Sequence, residues 1–212
     1  MASNEILNWP GAAGWLILSA NAGDDLMVMG DIRATALTRM VVNGGVAYIG
    51  LDEDDHEDLI EEMGELGAPT GYLVNVMTED DDTIQSTLAD SGMILITGDY
   101  DAAQWRSVLL GAARKGIETC FAQGGIILAE GAAATLFGAV IENGAEGFNW
   151  LEKSFIVPGV NSISESELAR DVLAAGPADV AVGIGPNSAL ALGPERHVET
   201  WGDARVTIAL GK

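Results

Sequence analysis

The sequence is poor in cations. Its 212 residues hold 10 lysines and arginines against 32 aspartates and glutamates, a formal net charge of −22. A protein of that sign repels phosphate backbones and anionic lipid headgroups, so nucleic acid and membrane surfaces are excluded as expected partners. Cysteine is nearly absent too. Cys120 stands alone, which rules out an intrachain disulfide and points to the cytoplasm. Histidine occurs only at His56 and His197, a thin supply of general bases. No apolar run approaches the ~18 residues that span a bilayer. The N-terminus shows no basic segment followed by an apolar core, so no secretion signal is expected.

What is present is a chain that can fold. Hydrophobic residues make up 48% of it, with a mean hydropathy of +0.22, enough for a packed core and too much for a disordered chain. The length fits one domain over residues 1–212, and no internal repeat or low-complexity linker divides it.

Short apolar runs alternate with amphipathic stretches. Residues 14–20, 46–51, 72–77 and 93–97 read as strands buried on both faces. Helices are predicted over 31–42, 52–66, 78–90 and from about 101 to 115, closed by Gly, Pro and Asn signals. Residues 124–138 then read as a fifth strand turning sharply into a small-residue helix that runs to about 142. Further on, 155–160 is a strand and 164–174 a helix, with Ser164 as N-cap and Glu167 at the third helical position. Short strands at 180–184, 189–192, 197–201 and 205–210 are expected to extend or cap one sheet edge, partly antiparallel. This order predicts an α/β three-layer sandwich, with a mainly parallel central sheet and helices on both faces. Trp9, Trp15, Trp105, Trp150 and Trp201 are candidates for the core or for an interface.

All strand C-termini of a parallel sheet share one edge, where ligands bind. Asp24 and Asp25 follow the first strand, residues 52–55 the second, 79–82 the third, Asp99 and Asp101 the fourth, and Glu130 the fifth. An acidic rim is therefore expected. Two explanations stay open. The carboxylates cap helix N-termini and complement their dipoles. Alternatively Asp24, Asp99, Asp101 and Glu130 gather around a divalent cation, which favours several oxygen ligands. No other cofactor is expected. A basic peptide or protein would also suit such a rim.

Four motifs in order carry a family resemblance. They are residues 14–20, the strand and turn at 94–98 ending in Gly98-Asp99, the elbow at 125–134, and the segment 183–190. Together they resemble the cyanophycinase and peptidase E family, serine peptidases on a class I glutamine amidotransferase-like, flavodoxin-like fold. The similarity runs over nearly the whole chain. It implies a serine at the elbow tip, where this sequence has Gly131. It implies a histidine where the best match here is Asn161. The family's Gly-Gly turn near the oxyanion becomes Gly98-Asp99, and its late Asp-Glu pair becomes Gly185-Pro186. Of the arginines downstream of the histidine, Arg170 is kept while Glu165 and Glu167 replace others.

Acyl transfer needs a nucleophile, a base and donors for the developing oxyanion. Their joint loss makes the expected protein a pseudoenzyme that acts by binding or self-association, as a homodimer or a larger homo-oligomer. Asp99 and Glu130 would add charge of the wrong sign beside an oxyanion. The competing expectation is an active serine or cysteine hydrolase, peptidase or amidotransferase-like, with its site relocated to Cys120, Ser19, Thr97 or Ser162.

Overall fold

The computed structural model describes residues 6–20, 26–51 and 57–211. In chain order its elements are β1 (Trp15–Ser19), α1 (Leu26–Thr38), β2 (Val46–Gly50), α2 (Glu57–Glu65), β3 (Gly71–Asn75), α3 (Asp81–Ala89) and β4 (Met93–Ile96). There follow α4 (Ala102–Leu109), α5 (Ala112–Ala122), β5 (Ile126–Glu130), α6 (Ala132–Thr135) and β6 (Ser154–Pro158). Last come α7 (Glu167–Ala175), β7 (Val180–Ile184), β8 (Ser188–Leu192), β9 (Val198–Gly202) and β10 (Val206–Leu210).

A seven-stranded sheet in the order β3-β2-β4-β5-β1-β8-β9 forms the centre. From β3 to β1 every pairing is parallel, and β8 and β9 continue the sheet antiparallel. The apolar runs are two-sided for a physical reason. In β5, Ile127 and Ala129 pack toward Trp105, Ile117 and Phe121 of α4 and α5, while Ile126 and Leu128 pack toward Ile32 of α1 and Met63 of α2. Both faces are thus covered, and neither tolerates a polar residue without a partner. Ile126, Ile127 and Leu128 are fully buried, each worth about 1.5–3 kcal/mol of transfer free energy.

Several boundaries differ from expectation. The small-residue helix does not reach residue 142. It stops at Thr135 because the next carbonyls are taken: Leu136, Phe137 and Gly138 accept from the amides of Phe148, Leu151 and Asn149. The predicted helix over 31–42 lies earlier, closing with i to i−3 bonds from Arg39 and Met40. The helix expected to 115 is two, broken at Leu110 and Gly111, the latter at φ 86°. Ser166, not Ser164, caps α7 by accepting from the Ala169 amide, so Glu167 opens the helix. Ser164 instead bonds Ser162.

The last third departs most. β8 and β9 extend the main sheet as expected, but β7 and β10 do not. They join β6 in a separate three-stranded sheet, β10-β7-β6. Alternation explains it. Val180, Val182 and Ile184 of β7 face the main core, whereas Ala181 faces Ala169 of α7. A strand with two apolar faces finds cover on both sides in this second layer.

Four of the five tryptophans are buried, and Trp15 is half-buried against Trp201 and His197. No helix among the described residues is long and apolar enough to cross a membrane.

Candidate functional site

The elbow keeps its shape. β5 ends at Glu130, Gly131 turns at φ 58°, ψ −130°, and α6 begins at Ala132. Side chains seldom adopt that backbone conformation, which glycine enters freely. The Gly131 amide donates to the Ser19 carbonyl at 2.9 Å, tying the turn to the end of β1. A strained strand-to-helix turn normally lifts a reactive side chain over the sheet. Gly131 lifts none.

A cavity of about 440 Å³ opens over this turn, within the size range of small-molecule sites. Gly131, Ala132 and Thr135 line it from the elbow, Ala102 from α4, Leu168 from α7, and Phe155 to Gly159 from β6 and the residue after it. Pro186, from the β7–β8 connection, completes the apolar wall. Among its described residues Thr135 and Glu142 have side chains with polar groups, and the Thr135 hydroxyl already donates to the Ala132 carbonyl at 2.7 Å. Glu142 is exposed.

Glu130 does not join a rim of free carboxylates. Its position in β5 turns it to the α1 face, where it is 2% exposed. Arg33 of α1 donates to it twice, from Nε at 3.1 Å and Nη2 at 2.8 Å. The same guanidinium donates from Nη1 to both oxygens of Glu62 on α2, at 2.9 and 2.8 Å. Burial works against the Arg33 charge, but Glu130 and Glu62 more than offset it and raise its pKa above the ordinary value. Tyr48 nearby is pushed up to about 12, mainly by burial. The expected wrong-sign charge beside an oxyanion is therefore neutralised at Glu130. Arg33 was not foreseen; its sequence signal is that it is the one cation of α1, next to the buried Ile32.

The remaining rim acids divide among separate tasks. Asp101 caps α4 in a capping box with Gln104. Asp80 caps α3, where bonds from the Thr83 amide and hydroxyl lower its pKa. Glu79 accepts from the Asn75 amide at 2.8 Å. Asp99 is exposed, and Asp24 lies outside the described residues. Among the described residues no group of three or more His, Cys, Asp or Glu is placed to hold a metal ion. Of the three candidate ligands among the described residues, Glu130 is turned away by strand alternation, Asp101 is engaged as a cap and Asp99 is exposed.

Of the other family positions, Pro186 lines the cavity and Asn161 does not. Asn161 is exposed, and its side-chain oxygen accepts from Arg205 at 2.7 Å. The candidate nucleophiles are scattered. Cys120 lies on α5 before β5, buried, with its Sγ 3.2 Å from the Ser91 carbonyl and its pKa pushed up to about 12 by burial. Ser19 is buried and donates to the carbonyls of Ala20 and Ser188 at 3.0 and 3.4 Å. Ser162 pairs with Ser164 at 2.8 Å. Thr97 is half-buried after β4. His56 lies outside the described residues. His197 bonds Glu199 at 2.9 Å and packs edge-on against Trp15, the first residue of β1. Gly131 follows the other end of that ladder, where Ser19 pairs with Glu130. Roughly 13 Å of strand separates them.

No family model matches the sequence, and no curated protein matches it. Among solved structures, the chain is similar to a peptidase from an acI-B1 Actinobacterium, with a TM-score of 0.70 and 18% identity over 94% of this chain and 91% of that one. It is also similar to a "Putative Peptidase E Protein" from Listeria monocytogenes EGD-e, with a TM-score of 0.62 and 14% identity over 89% of this chain and 98% of that one. Likeness at such identity carries architecture rather than chemistry, and on that ground the chain has a peptidase E-like fold.

Proposed function

We propose that this chain is a non-catalytic protein on a peptidase E-like fold, and that it binds a small ligand in the cavity over Gly131. The observation that carries the reading is the elbow itself. Its turn is retained in a glycine conformation, a cavity opens over it, and no side chain stands at the tip. Supporting it, His197 lies at the opposite sheet edge, and Asn161 occupies the position expected for a base and bonds Arg205. A deprotonated nucleophile, a positioned base and oxyanion donors act as a unit, and losing the unit removes most of the rate. The test is labelling of the native protein with a fluorophosphonate and a maleimide, read by intact mass. No adduct is expected. A stoichiometric adduct on a serine or on Cys120, with turnover of a peptide substrate, would instead establish the relocated hydrolase.

Self-association is a second element, favoured by β10. That edge strand reads Val-Thr-Ile-Ala-Leu, without one charged residue in a chain of net charge −22, and Ile208 and Leu210 are exposed. Edge strands are ordinarily guarded by charge or proline. Sedimentation velocity should show a dimer that strengthens with salt, as repulsion is screened, and that Ile208→Lys dissociates. A monomer at all salt and protein concentrations would end this reading.

A further inference from the structure

The geometry points to a cationic ligand with a compact apolar body, an aryl- or branched alkyl-ammonium, as the occupant of the cavity over Gly131. This rests on the cavity being the binding site. Three observations select the class. First, Phe155, Ile156, Val157, Pro158, Leu168 and Pro186 offer an apolar lining, suited to a hydrocarbon group and hostile to a buried ion. Second, Glu142 is the sole ionisable side chain among the described residues of the lining, so the charge they can complement is positive. Third, no basic residue is among the described lining residues, and the arginines on the helices that supply it are engaged, Arg106 of α4 with the Glu146 carbonyl at 2.6 Å and Arg170 of α7 with Glu167 at 3.5 Å, while Arg205 bonds Asn161. An anionic head would thus meet Glu142 without a cation among the described lining residues to offset it.

The wall also argues for a small molecule over an extended peptide. β6 is the edge of its sheet, and beyond its single bridge from Phe155 to Val140 it offers Pro158, which has no amide hydrogen to donate. Strand addition along β6 would therefore lack a complete ladder. A compact body lodged among the side chains requires none, and its ammonium donates to the Glu142 carboxylate where the cavity meets solvent.

Three probes of matched shape test the class on the native protein at low ionic strength: phenethylammonium, 2-phenylethanol and 3-phenylpropionate, by calorimetry and chemical-shift mapping. The ammonium should bind about fivefold tighter than the alcohol, the increment of a solvent-facing charged contact, and the carboxylate should bind weakest. Glu142→Gln should abolish the preference for the ammonium over the alcohol. Ala132→Leu, which places bulk in the cavity, should weaken the ammonium and the alcohol alike. Equal binding of ammonium and alcohol, or a preference that survives Glu142→Gln, overturns the ligand class and leaves the cavity reading intact. Binding insensitive to Ala132→Leu, or no binding by any probe, overturns both.

Discussion

Glu130→Ala offers a sharp test of how the elbow is held. The substitution deletes the acceptor of two guanidinium donors, at 3.1 and 2.8 Å, while leaving Arg33 at 12% side-chain exposure. Removing one partner of a buried ion pair costs roughly 3–5 kcal/mol, because the surviving charge stays desolvated. Glu62 remains on Nη1, but at 41% exposure it is screened by water and compensates only in part. The expected loss is therefore about 3 kcal/mol, the low end of that range. For a chain of this length that lowers Tm by roughly 6–12 °C. Urea unfolding followed by tryptophan fluorescence, with calorimetry beside it, measures both quantities. Two further variants sharpen the comparison. Glu62→Gln should cost less than about 1 kcal/mol, and Arg33→Met with Glu130→Leu should recover most of the loss, since apolar replacement of a whole buried pair is often neutral. If Glu130→Ala costs no more than Glu62→Gln, the buried pair does not anchor the turn.

Other consequences follow from the same geometry. Gly131→Ser should lower stability by about 1–3 kcal/mol, the strain of a side chain at φ 58°, ψ −130°, and should confer no fluorophosphonate labelling; a labelled, hydrolytic variant would refute the joint loss of base and oxyanion donors. Cys120, protonated at neutral pH because burial pushes its pKa up to about 12, should resist disulfide reagents in the native protein and react fully in denaturant. Rapid native labelling would show that α5 opens readily. Burial pushes the Glu199 pKa up, but bonds from Trp201 and His197 and the Arg39 charge outweigh it, so its value in the folded chain lies below the ordinary 4.5. A carboxylate whose pKa is depressed on folding contributes stability above its unfolded value and loses it as pH falls through the folded one. Stability should thus drop on acidification below 4.5, less steeply in Glu199→Gln. Identical acid profiles for the two proteins would remove Glu199 as a contributor.

The central sheet was legible because its strands announce themselves locally. A buried strand is a short unbroken apolar run, and 14–20, 46–51 and 93–97 each meet that rule within one or two residues of β1, β2 and β4. The elbow was legible for the same reason, as Gly131 sits between an apolar run and a stretch of alanines. Less was legible where distant backbone competed. Nothing near Thr135 in sequence says that α6 must end there; amides a dozen residues onward take the carbonyls the helix would have used. Nor does periodicity tell which sheet β7 joins, since a two-faced apolar strand suits either layer.

The amino-acid sequence by itself determined the α/β alternation, the sign of the surface charge and the glycine at the elbow tip, because each depends on residue type and near-neighbour order. Tertiary structure alone decided what the acids do. The same carboxylate type is a helix cap at Asp101, a buried counter-ion at Glu130 and a cavity-lining charge at Glu142. Strand parity and the approach of Arg33 from another element separate these roles, and both act across distances that a linear pattern does not encode.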